Sequence, residues 1–126
     1  MLPPGAAEEL DGVFYQDSKT RLSDIKSGTS QTILVGERSS ELFDSTWVGV
    51  IAGSERGGWR VLGWTGEPPN NPPTSEVHFH GYAQFNSMHS GITNFVFADG
   101  SVHGIEDAVD PACFFQLGSI RVSSGN

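Results

Sequence analysis

"HSGITNFVFADGS", residues 89–101, decides the reading of the chain. Nine residues separate His89 from the Asp99-Gly100 pair, most of them suited to a β-strand, and that pair reads as a tight turn. Gly adopts positive φ freely and Asp tolerates it, so the pair suits a type I′ turn. A two-residue turn would pair Ala98 with Ser101, Phe97 with Val102, Val96 with His103 and Phe95 with Gly104. One face of this expected hairpin carries Phe95, Phe97 and Val102, and a slip of one residue would turn the two rings to solvent.

The residues after this hairpin predict a helix. In "DAVDPACFFQLGSI", Asp110 stands at the N-cap, Pro111 at N1 and Gly118 just past the end. Phe114, Phe115 and Leu117 give it an apolar side, and Cys113 is expected as a buried, inert thiol. Before the hairpin, Ile33, Leu34 and Val35 are consecutive, as in a central strand buried on both faces. Upstream, Gly12 to Tyr15 reads as a short strand, followed by a turn at Asp17-Ser18. In "SDIKSG", Ser23 or Asp24 would cap one helical turn ended by Gly28.

Two further strands are expected from the alternation in "STWVGVIAG" and "GWRVLGW", joined by the Gly-rich "AGSERGG". Four prolines in "TGEPPNNPPT" then rule out a ladder, which places an irregular surface loop at about residues 65–75. The pattern gives an α+β domain, mainly antiparallel sheet with short helices, spanning residues 1–126 as one unit.

Composition narrows the partners. The 126 residues could bury roughly two-thirds of their unfolded surface, enough for a core. Fifteen acidic residues against seven basic give a net charge of -8, and the basic residues are scattered. Nucleic acid is therefore excluded as a partner, because phosphate neutralisation needs clustered Lys and Arg. No apolar run reaches the roughly 18 residues of a membrane span, and "MLPPGAAEEL" has no signal-peptide pattern.

His89 and Asp99 have the chemistry of a general base and its carboxylate, or of two metal ligands. A turn demands Asp at position 99 anyway, and His89 is expected to hydrogen-bond the backbone of the hairpin or of "SDIKSGTS". "EVHFH" sets Glu76, His78 and His80 on one strand face, a weak candidate for metal. A structural zinc site wants four protein ligands, and His103 is the one histidine outside these motifs. Trp47, Trp59 and Trp64 could stack on a sugar if exposed, although their alternation with Val and Leu favours packing. There is no Gly-x-Ser-x-Gly, no phosphate loop and no calcium-loop spacing. An enzyme is not expected.

Three stretches, "GVFYQDSKTRLSDIKSGTSQTILVGERS", "TWVGVIAG" and "FNSMHSGITNFVFADGSVHGIED", together resemble the DUF1559 family. That family pairs a prepilin-type N-terminus with a C-terminal H-X9-DG motif, which His89, Asn94, Asp99 and Gly100 would carry here. Where the family commonly reads His-Pro-Gly-Gly, this chain has His89-Ser90-Gly91-Ile92. The resemblance implies a pilin-like or pseudopilin layout, an extracellular or cell-surface location, and protein partners in a secretion or surface assembly. The chain then corresponds to the globular region without the apolar helix, whether trimmed or naturally short. No cofactor is expected, apart from calcium by analogy with some pseudopilins. The alternative functions are a small-ligand or glycan-binding module using the tryptophans and, behind it, a metal-dependent hydrolase using His78, His80 or His89.

Overall fold

Strand β2, Ile92–Phe97, lies between β1, Ile33–Gly36, and β3, Val102–Glu106, in an antiparallel sheet that has three strands among the described residues. This is a computed structural model, and it describes residues 12–15, 17–40, 62–71 and 84–121. Among the described residues, one helix, α1, spans Pro111–Leu117, and short 3₁₀ turns occupy Leu22–Asp24 and Thr29–Gln31. The result is a small α+β arrangement, as the residue pattern predicts.

Alternation in β2 sets the core. Thr93, Phe95 and Phe97 are buried on one face, while Asn94 and Val96 on the other are half-buried. Ile33, Phe85, Phe95, Phe97, Ile105 and Phe114 form one cluster, with Val109 and Leu117 against it. Phe95 meets the edge of Phe85 at 5.0 Å between ring centroids and that of Phe114 at 5.6 Å. Each ring buried there is worth roughly 1.5–3 kcal/mol. The helix docks through Phe114 alone among its buried residues, while Phe115 faces solvent.

The helix termini follow the sequence signals. Asp110 Oδ1 accepts the N–H of Cys113 at 3.0 Å, Pro111 opens the helix, and Gly118 follows its end. Cys113, however, is exposed, because the helix turns its Phe114 face to the sheet. The expected buried thiol is thus corrected.

The hairpin forms with a different register. Val96 pairs with Val102, Phe95 with His103 and Asn94 with Gly104, one residue away from the two-residue-turn expectation. Gly100 N–H donates to Phe97 O at 2.9 Å and Phe97 N–H to Ser101 O at 2.8 Å. Gly100 has φ +87°, whereas Asp99 keeps a negative φ. This is a three-residue loop in which only the glycine takes the left-handed conformation. The shift removes Val102 from the Phe95–Phe97 face and leaves it 62 % exposed. Ile105, opposite Thr93, fills the core in its place.

Strand β1 also departs from expectation. Among the described residues it pairs with β2 alone, with an irregularity between Ile33 and Val35, and Val35 is exposed. Its apolar run is therefore buried at Ile33 and not on both faces. Gly12 to Tyr15 form no strand, although Val13 is buried and its carbonyl accepts the Thr20 hydroxyl at 2.8 Å. The 3₁₀ turn starts at Leu22, earlier than expected, with Asp24 Oδ2 accepting Arg21 N–H at 2.8 Å from inside the turn. Gly28, at φ +100°, precedes the second turn.

Of the expected Trp strands, residues 41–61 lie outside the described residues, and Leu62 to Thr65 are irregular. The Pro-rich loop is irregular where it is described, residues 65–71, yet it is anchored. Pro69 is fully buried. Asn70, at φ +63°, donates from Nδ2 to Asp107 Oδ1 at 2.7 Å and accepts Ser87 N–H at 2.9 Å. Residues 72–75 of that loop lie outside the described residues. No helix among the described residues is long and apolar enough to cross a membrane.

Candidate functional site: the His89–Glu37–Asn94 clasp

Glu37 follows β1 and meets the start of β2. Its backbone N–H donates to Asn94 O at 3.2 Å, as a ladder bond would. In return Asn94 N–H donates to Glu37 Oε2 at 2.8 Å, so the side chain takes the place of the Glu37 carbonyl. That carbonyl instead accepts Asn86 N–H at 3.1 Å. The remaining carboxylate oxygen, Oε1, lies 3.2 Å from His89 Nε2.

The His89 ring meets the Glu37 carboxylate, and not the backbone of the hairpin or of "SDIKSGTS" that the sequence led us to expect. The pair is open to water, with side chains 54 % and 38 % exposed. Exposed pairs of this kind contribute about 0.2–1 kcal/mol. The segment around His89 is tied further by Ser87, whose Oγ accepts His89 N–H at 3.2 Å and donates to Ile92 O.

Asp99 sits at the far end of β2. Six residues of strand put the two motif ends on the order of 20 Å apart, far beyond proton transfer between them. Asp99 Oδ1 accepts both the N–H and the hydroxyl of Ser101, at 2.9 and 2.5 Å. Those bonds, the hydroxyl first, hold its pKa below the usual carboxylate value. The loop tip docks on the second 3₁₀ turn, with Asp99 N–H on Thr29 O at 3.0 Å and Ala98 N–H on Thr32 O at 2.8 Å.

His103 Nε2 lies 3.1 Å from Ser101 Oγ, which brings Asp, Ser and His into one row. A nucleophilic serine needs the imidazole as its proton acceptor, with the carboxylate behind the imidazole. Here the serine is in the middle and its proton goes to Asp99. The His103 ring also packs edge-on against Phe97 at 5.1 Å between centroids. The row closes a loop.

Of the other candidates, Trp64 is half-buried, and Gly100 supplies the left-handed residue of the loop. Trp47, Trp59, His78, His80 and Glu76 lie outside the described residues. Glu37, Ser101 and Asn70 were not among the sequence-predicted site residues. Glu37 stands in the quoted "TILVGE" string, so its presence was legible, while its contact with a residue 52 positions away was not.

The fold and this site define a small α+β domain in which His89 and Asp99 stand beyond opposite ends of β2, one against Glu37 and the other against Ser101. The family model described as a protein of unknown function, DUF1559, matches residues 3–112, and the chain belongs to that family. No curated protein and no solved structure matches the chain.

Proposed function

We propose that this chain is a non-enzymatic domain of a pseudopilin-like protein, placed outside the cell or on its surface and joined there to protein partners of a secretion or surface assembly. The observation that carries the reading is that the side chains of His89, Glu37 and Asp99 are engaged within the domain. His89 reaches Glu37, Glu37 reaches Asn94, and Asp99 reaches Ser101. Such groups are occupied in shaping a surface, and a rigid surface is what an assembly domain presents. The domain works without a resident cofactor.

Surface proteolysis of intact producing cells tests the reading. Degradation of the protein by added protease, while a cytosolic marker survives, is the expected result. Protection until the cells are lysed would overturn it.

A further inference from the structure

Among the described residues, the outer edge of β3 pairs with no strand. Phe97 N–H donates to Ser101 O at 2.8 Å and Asp107 N–H to Gly91 O at 3.0 Å, and the register between them is unbroken. Antiparallel ladders alternate, so Ser101, His103, Ile105 and Asp107 turn their backbone groups toward β2. Val102, Gly104 and Glu106 therefore turn theirs outward. Among the described residues, one bond reaches this outward set, from Val109 N–H to Glu106 O at 3.0 Å.

Among the described residues, no strand pairs with that edge. Val102 is 62 % exposed, and Gly104 and Glu106 are exposed as well. Natural edges are commonly blunted by Lys, Pro, bulges or a covering element, and β3 has no Lys, Pro or bulge. Its charge is negative: exposed Glu106 lies on it, exposed Asp99 and Asp110 flank it in sequence, and the whole chain carries -8. A second copy paired antiparallel about Gly104 would set Glu106 opposite the copy's Val102 and leave its charge unpaired. A basic segment would meet it favourably.

We propose that the β3 edge is a docking strand for an extended peptide segment bearing Lys or Arg, which adds antiparallel as a fourth strand. Its backbone bonds Val102, Gly104 and the N–H of Glu106, whose carbonyl already accepts Val109, while its basic side chain stands beside Glu106 and an apolar one beside Val102. The edge geometry supports this whether or not the domain belongs to a pilin-like assembly.

Fluorescence anisotropy with labelled peptides TKTYTVT and TETYTVT tests it. The lysine peptide is expected to bind about 5-fold more tightly. Val102→Pro removes an outward N–H that β2 does not use, and should weaken binding at least about tenfold. Glu106→Lys should reverse the preference between peptides, and it decides the matter if circular dichroism shows Val102→Pro unfolded. The proposal is overturned by equal affinity for both peptides, by no binding at millimolar peptide, or by a folded Val102→Pro variant that binds like wild type. Sedimentation showing that the wild type self-associates through this edge, with Val102→Pro monomeric, would also overturn it in favour of a second copy.

Discussion

His89 Nε2 lies 3.2 Å from Glu37 Oε1 across 52 residues of sequence, and the other oxygen of the same carboxylate receives the N–H of Asn94. The two contacts differ in worth. The histidine contact is an exposed pair, whereas the strand amide loses its only partner if the carboxylate is removed.

Glu37→Ala is accordingly expected to cost about 1–3 kcal/mol. His89→Ala should cost about 0.2–1 kcal/mol. Urea denaturation of both variants checks the order, and a larger loss for His89→Ala would show that the clasp is assigned to the wrong residue.

Asp99 gives a pH dependence of definite sign. Its folded pKa is lowered by Ser101, so the unfolded chain takes up the proton first as pH falls. The contribution is complete above the ordinary carboxylate range and is lost as pH drops through the folded value, below about pH 4. Ser101→Ala removes the leading cause and should move the Asp99 pKa upward, as read by NMR titration of its carboxyl group. An unmoved titration would refute the assigned cause.

Two glycines are needed for different reasons. At Gly100 a Cβ would meet nothing within 4 Å, but φ is +87°, so Gly100→Ala should cost about 1–2 kcal/mol through the backbone. At Gly36 a Cβ would stand 2.5 Å from the Phe95 ring and 2.6 Å from Phe85. Gly36→Ala should therefore cost about 1–3 kcal/mol through overpacking. Gly100→Asn should recover part of the loss and Gly36→Asn none, as thermal melts would show.

Phe114 and Phe115 are adjacent and opposite in consequence. Phe114 is fully buried against Phe95, and its replacement by Ala should cost about 3–5 kcal/mol. Phe115 is 56 % exposed, and its replacement should stay within about 0.5 kcal/mol. Comparable losses for the two would mean the helix docks with a different face.

Exposed Cys113 should react with a thiol reagent such as Ellman's in the native protein, at nearly the rate of the unfolded chain. Protection until denaturation would restore the buried-thiol expectation.

The residues alone determined what depends on near neighbours. Asp110, Pro111 and Gly118 delimit a helix through bonds that close within four residues, and the alternation of β2 selects Phe95 and Phe97 for the core. The family was legible too, in strings spread along the chain. The tertiary structure decided the rest. "FADGS" is compatible with a two-residue or a three-residue loop, and the choice rested on packing Ile105 against the core and docking the tip on Thr29 and Thr32. Likewise, Ile33 to Val35 read as a strand buried on both faces because three consecutive apolar residues do not show which of them meets the core, and the structure leaves Val35 exposed. Glu37 became the partner of His89 only when β1 was laid beside β2, since a contact across 52 residues leaves no local pattern.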